Sequence, residues 1–306
     1  MGNGRASEDG EMKNESETMD ITSEMIKRLR ERTGAGMMDC KRALEASNGN
    51  METAVEFLRK KGAAVAQKRA DRSANEGVIV ASVTKSGTVG ALVEINCETD
   101  FVARSQDFLL FAGNTADAVI MHRPANTAAA GALPAVSGKT INDLMNDLLA
   151  KVGEKIEVRR LKIVEAPDGQ ICSYIHLGNK IGVLVELAGA RAGEDVVSLG
   201  RNLAMQVAAM NPMVISREDV AATTIERETE IYRTQARNEN KPAQIVDKIA
   251  QGKLEKFYQE VCLMEQIYIR DSGKTVRDYL QDAASKLNQA ISVRSFNRFQ
   301  LGEETT

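Results

Sequence analysis

Between Ile21 and Gly62 apolar residues recur at helical spacing, and the pattern is punctuated by glycine. Ile21, Met25 and Leu29 form the first stripe, as an amphipathic helix requires. Thr22 or Ser23 stands where it can cap that helix. Glu24 falls in its first turn and Arg30 and Arg32 near its end, the charge order that the helix dipole favours. Gly34-Ala35-Gly36 breaks the pattern. A second helix is expected from about Met37 to Ser47, stopping at Asn48-Gly49. A third starts at Asn50, buries Ala54, Val55 and Leu58, and is expected to end at Gly62. Three helices in about 40 residues make a small bundle, near the lower size limit for independent folding. Residues 63–76, rich in Ala, Lys and Arg, read as a helical or flexible connector.

From Gly77 the pattern turns to strands. Val78-Ile79-Val80 and Val89 to Ile95 are β-rich, with a turn at Lys85-Ser86-Gly87. A helix follows from about Ser105, with Phe108, Leu109, Ala112 and Ala116 inward. The chain then repeats itself. At a shift of 92 positions, Gly90-Ala91-Leu92-Val93-Glu94-Ile95 lands on Gly182-Val183-Leu184-Val185-Glu186-Leu187. At a shift of 135, Ser137-Gly138-Lys139-Thr140 lands on Ser272-Gly273-Lys274-Thr275, and Val158-Arg159 on Val293-Arg294. Each unit therefore reads as β-hairpin, helix, variable insert, helix, strand. The insert is a Pro/Ala/Gly-rich loop near 123–136 in the first copy. In the second it is helical, with one helix near 218–238 and another starting at Pro242, where proline is tolerated. The expected class is α+β. The expected organisation is a disordered extension at 1–20, a three-helix head at 21–62, a connector at 63–76 and core copies at 77–165 and 166–306, with a helical arm at about 216–262.

Apart from the inserts, the copies part company at a turn. Thr99-Asp100-Phe101-Val102 lands on Arg191-Ala192-Gly193-Glu194, which shares nothing with it. Either Phe101 packs under its own loop, or this turn answers a demand other than folding. Asp100 is expected to orient the turn through backbone amides, as Asp does at helix starts, or to make a direct contact.

Composition narrows the chemistry. A content of 43% hydrophobic and 27% charged residues describes a soluble globular chain, and a net charge of -3 gives no global case for nucleic-acid binding. No apolar run reaches membrane-spanning length. The first 20 residues are acidic and lack an apolar core, so they read as neither a signal nor a transit peptide. Cys40, Cys97, Cys172 and Cys262 form no CxxC pair, which fits reduced thiols in a cytoplasmic protein. With only His122 and His176 present, no metal site is expected. The Gly-Lys-Thr of both copies lacks the upstream glycine of a phosphate loop, since Leu133 and Tyr268 stand there. Thr140 and Thr275 are expected to start helices instead. No nucleophile, base and metal set converges in sequence, so the chain reads as a non-catalytic binding protein without a cofactor. The basic run from Arg59 to Arg72 leaves an RNA-binding alternative, weakened by the lack of clustered aromatics. Of Met37 and Met38, adjacent on a helix, one should be partly exposed; the other possibility is that Met38 covers the Gly-Ala-Gly turn.

The run Arg30-Glu31-Arg32-Thr33-Gly34-Ala35-Gly36-Met37-Met38-Asp39-Cys40-Lys41, together with Val93-Glu94-Ile95-Asn96-Cys97-Glu98-Thr99-Asp100-Phe101-Val102 and Ile181-Gly182-Val183-Leu184-Val185-Glu186, resembles the bacterial elongation factor Ts family. The likeness covers nearly all the chain after residue 20. It implies a head like a ubiquitin-associated (UBA) domain, two core subdomains, a coiled-coil arm and exchange of guanine nucleotide on elongation factor Tu in the cytoplasm. By the same likeness, Thr99, Asp100, Phe101 and Val102 form the turn that dislocates the partner's magnesium, with Phe101 inserting. Met37, Met38 and Lys41 are implied as a head contact, and His176 as a contact of the second copy to the partner's β-barrel. No direct nucleotide, nucleic-acid or membrane binding is expected.

Overall fold

The computed structural model describes residues 20–69, 71–135, 138–191 and 193–304. The expected N-terminal extension, apart from Asp20, lies outside the described residues. Helix α1 (Ser23–Thr33) is capped by Thr22, whose hydroxyl accepts from the Met25 amide at 3.2 Å. It closes at Gly34, whose φ of 69° places it in the left-handed region. With α2 (Met37–Ala46) and α3 (Met51–Lys68) it encloses Leu29, Cys40, Ala43, Leu44, Ala54 and Leu58. Helix α3 does not end at Gly62, as expected, but runs on to Lys68. The glycine serves close approach instead. A Cβ at Gly62 would stand 3.1 Å from the Asn146 carbonyl oxygen, on a helix of the first core copy.

The first copy comprises β1 (Glu76–Val83), β2 (Val89–Cys97), a one-turn α4 (Asp100–Ala103), α5 (Gln106–His122), α6 (Thr127–Gly131), α7 (Ile141–Val152) and β3 (Ile156–Glu165). The second comprises β4 (Gly169–Ile175), β5 (Ile181–Ala188), α8 (Glu194–Met210), the arm helices α9 (Ala222–Asn238) and α10 (Ala243–Val261), a small hairpin of β6 (Ile267–Tyr268) and β7 (Asp271–Thr275), α11 (Val276–Leu287) and β8 (Ser292–Gln300). Two antiparallel sheets result, in strand order β1-β2-β3 and β4-β5-β8. The class is α+β, as expected. Thr140 and Thr275 each complete a capping box, with Asp143 and Asp278, so Gly-Lys-Thr marks a helix start in both copies. The first insert is not all loop. Asn126 accepts from the Ala129 amide at 2.9 Å and nucleates α6. Leu109, expected inward, is exposed; the buried face of α5 is Phe108, Phe111, Ala112, Thr115, Ala116 and Val119.

Helices α5 and α8 cover the outer faces of the two sheets, and the inner faces pack on each other through Ile79, Leu92, Ile171 and Leu184. Two glycines make this possible, and they are repeat mates. A Cβ at Gly90 would fall 2.6 Å from Ile171 Cγ2, and one at Gly182 would fall 2.5 Å from Ile79 Cγ2. Each copy thus leaves room for the other's isoleucine. A second lock lies at the sheet edge. Glu94, fully buried, accepts from Arg159 at 2.9 Å, Arg160 at 2.6 Å and the Gly302 amide at 3.1 Å. Arg160 also donates to the Gln300 carbonyl at 2.8 Å, tying the end of β8 to β3.

Candidate functional site

Strand β2 ends at Cys97, whose thiol donates to the Thr99 carbonyl at 3.1 Å. Burial, and then the charge of Glu154, push that thiol up to about 12. Thr99 is the N-cap of α4; its hydroxyl accepts from the Val102 amide at 3.4 Å. The same residue is gripped from α7's far side. Its amide donates to Glu154 Oε2 at 3.0 Å and its hydroxyl to Oε1 at 2.7 Å. Next door, Glu98 accepts from the Lys155 amide at 2.7 Å, Arg69 at 2.8 Å and Arg72 at 3.2 Å. The Lys155 amide, then the two guanidinium groups, hold its carboxyl below the usual carboxylate range.

On this base the four residues divide their tasks. Thr99 caps the turn and Val102 packs against the first core. Contrary to the expectation of a backbone cap, the Asp100 carboxylate accepts from no backbone amide among the described residues; the capping oxygen is that of Thr99, and Asp100 pairs with Arg104 one turn on. Phe101 is 80% exposed. The possibility that it packs under its own loop is therefore discarded.

A cleft of about 290 Å³ opens beside the turn, lined by Glu76, Asp100, Arg104 and Leu109 from the first copy and by Gly178, Asn179 and Lys180 from the second. The Asn179 carbonyl accepts from the Ile79 amide at 2.7 Å, and Lys180 pairs with Glu76 at 3.1 Å. The β4–β5 turn is thereby fastened across the first copy, near Phe101. His176 is exposed on that turn, 3.0 Å from the Tyr174 hydroxyl. Leu177 beside it is 93% exposed and was missed in the sequence. The signal was there: a leucine directly before Gly178-Asn179 sits at a turn tip and has no core to enter.

Met37 and Met38 are both exposed, at 54% and 61%, so neither enters the head's core and Met38 does not cover the glycine turn. Helix α2 turns Cys40, Ala43 and Leu44 inward instead. Lys41 lies 3.8 Å from Glu45 on the exposed side. The preceding turn packs on α7, since a Cβ at Gly34 would stand 3.1 Å from the Lys151 side chain. Lys151 pairs with Asp107, at the start of α5, at 2.5 Å. The turn that leads into the methionines thus rests against the last turn of α7, three residues before Glu154.

The basic run is largely engaged within the chain. Arg59 pairs with Asp143 at 2.9 Å, Lys61 with Asp39, and Arg69 and Arg72 with Glu98. Among the described residues no group of three or more His, Cys, Asp or Glu could hold a metal ion, and no helix is long and apolar enough to cross a membrane.

The family model for elongation factor TS matches residues 98–303, beginning at the Glu98 brace. Elongation factor Ts of Chloroherpeton thalassium is 43% identical over 288 residues, covering 93% of this chain and 99% of that protein. The factor of Trichlorobacter lovleyi is 45% identical over 291 residues, covering 93% and 94%, and that of Prosthecochloris aestuarii 46% over 285, covering 92% and 99%. Likeness on this scale takes in head, both copies and arm together rather than one module, and so the chain belongs to the elongation factor Ts family of translation elongation factors.

Proposed function

We propose that this chain is a guanine-nucleotide exchange factor for elongation factor Tu and that Phe101 is the group that disturbs the GTPase's magnesium and phosphate site. The observation that carries the reading is a large apolar ring held in solvent on a braced turn, at a place where the copies diverge. A phenylalanine this exposed adds little to the folded state, and burying it in a partner's pocket is favourable. Exchange needs no covalent chemistry. It needs tighter binding to the nucleotide-free partner than to the loaded one; linkage then makes factor and nucleotide weaken each other equally. Magnesium and phosphate contacts are strong and local, so small shifts in the elements that hold them loosen the nucleotide.

The remaining sites fit a broad grip. Met37 and Met38 offer adaptable, polarisable contact surface beside Lys41. His176, with Leu177, extends that surface to the second copy, in the sense expected for contact with the β-barrel of the GTPase. The chain acts without a cofactor and without binding nucleotide itself, as a cytoplasmic factor. The test is direct. Elongation factor Tu loaded with fluorescent GDP is mixed with substoichiometric amounts of this chain in a stopped-flow instrument. Multiple-turnover acceleration of GDP release supports the reading, and release at the intrinsic rate refutes it.

A further inference from the structure

Among the described residues the carboxylate of Glu154 accepts hydrogen bonds from Thr99 alone, and these are two of the bonds that fix that residue. Its oxygens take the Thr99 amide at 3.0 Å and the Thr99 hydroxyl at 2.7 Å. That hydroxyl is also the N-cap of α4, so a single carboxylate sets where the four-residue helix begins. The adjacent residue returns the grip, since the Lys155 amide donates to Glu98 at 2.7 Å. Residues 98–99 and 154–155 thus form a crossed clasp between the end of β2 and the start of β3.

The second copy supplies an internal control. Thr99 maps onto Arg191 at the shift of 92, and Glu154 maps onto Gln289 at the shift of 135. There the Arg191 amide donates to Gln289 Oε1 at 2.7 Å. The backbone half of the clasp is therefore common to both copies and belongs to the scaffold. The hydroxyl-to-carboxylate half exists only in the copy that bears an exposed ring; no α4-like turn follows Arg191 among the described residues. A charged acceptor makes a stronger bond than a neutral amide, so the upgrade to carboxylate coincides with the upgrade from plain turn to capped helix.

We propose that Glu154 is a positioning residue for exchange: through Thr99 it holds the α4 turn in the one orientation from which Phe101 acts. The inference rests on the exchange reading above. Glu154 acts through the ring and makes no contact with the GTPase, so its loss slows the step that the ring performs without weakening the grip of head and second copy.

The experiment measures GDP release from elongation factor Tu against concentration of the full chain, separating the maximal rate from the half-saturating concentration. Glu154→Ala is expected to lower the maximal rate about tenfold, equivalent to about 1.4 kcal/mol, with half-saturation unchanged within twofold. Glu154→Gln keeps an oxygen for the Thr99 amide, as Gln289 does for Arg191, and recovers the rate to within threefold of the parent. In a Phe101→Ala background, Glu154→Ala has no further effect, because the group it positions is gone. Thr99→Val, which removes only the hydroxyl's bonds, lowers the maximal rate about threefold and gives a second reading should Glu154→Ala fail to fold. An unchanged maximal rate in both Glu154→Ala and Thr99→Val, a loss confined to half-saturation, or an additional loss in the Phe101→Ala background overturns the proposal. Phe101→Ala alone separates the two ideas. If it exchanges at the parental rate, the role of Phe101 fails and the positioning role with it, while release at the intrinsic rate by the parent chain fails the exchange reading itself; if it is slow while Glu154→Ala is not, only the positioning role fails.

Discussion

Replacing Phe101 by alanine should separate folding from exchange more sharply than any other single change in this chain. The ring is 80% exposed, so its removal takes little from the folded state, and a change within about 0.5 kcal/mol is expected, as for surface positions generally. Full burial of a phenylalanine is worth about 1.5–3 kcal/mol. About four-fifths of that is still available to a partner, or about 1.2–2.4 kcal/mol. If all of it is realised in the state that releases GDP, the rate falls about 8- to 60-fold at 1.36 kcal/mol per decade. The assay is stopped-flow release of fluorescent GDP at saturating factor, with thermal unfolding of the same preparations alongside. Phe101→Leu retains much of the apolar area and should recover part of the loss. Parental release by a well-folded Phe101→Ala would refute the reasoning. So would a destabilisation of several kcal/mol, which would make the ring structural after all.

Three further outcomes follow from the packing and the charges. Gly182→Ala forces a methyl to 2.5 Å from Ile79 Cγ2 and 2.9 Å from Ile175 Cδ1; overpacking of this kind costs about 1–3 kcal/mol, read as a lower denaturant midpoint that Ile79→Ala in the same chain partly restores. Burial raises the Cys97 thiol to about 12 and those of Cys172 and Cys262 to about 11, from an ordinary 9.0. These groups are kept neutral by folding, so their contribution is full below pH 9 and is lost as pH rises towards 11–12; native thiols should resist a disulfide reagent at pH 8, and alkaline melts should fall. Glu98 shows the opposite sign: its carboxyl is depressed, so its stabilisation is present above the ordinary carboxylate range and is lost as pH falls through its folded value. Glu98→Gln should therefore flatten the acid limb of a melting-temperature profile, and an unchanged limb would dismiss the clasp as a source of acid sensitivity.

Much of this architecture was written in local signals. Thr22, Thr140 and Thr275 announce helix starts because capping is settled within four residues, and the duplicated strands announce themselves because both copies face the same packing problem. The misreadings share a cause. Gly62 looks like a helix stop, and only the path of α7, some eighty residues on, shows that it is a point of close approach. Asp100 has the right chemistry for a cap, but the backbone gives that place to Thr99, one position earlier. In the candidate site, Phe101 was legible as a difference between copies. Leu177 carried a local signal in the Gly178-Asn179 that follows it, whereas Glu154 carried none, since a bond across fifty-five positions is a tertiary fact. Yet Glu154 left a trace, because the shift of 135 aligns it with Gln289 as the shift of 92 aligns Thr99 with Arg191.

The energetics explain why a ring alone would not suffice. On the exchange reading Phe101 delivers about 1.2–2.4 kcal/mol of burial, derived from the exposed fraction of its ring. Fixing the backbone of one residue costs about 1–2 kcal/mol, and α4 has four residues. A loose turn that had to order on contact would thus consume more free energy than the ring returns. A helix of one turn has no stability of its own, because nucleation is unfavourable and nothing follows to offset it. The turn must therefore be ordered before the partner arrives, by bonds drawn from elsewhere in the fold. Ala103 is buried beneath it, Val102 packs on the first core, and Glu154 and the Glu98–Lys155 bond fix its entry. Divergence of one copy towards exchange then requires two changes in concert, an aromatic side chain in solvent and a carboxylate behind it.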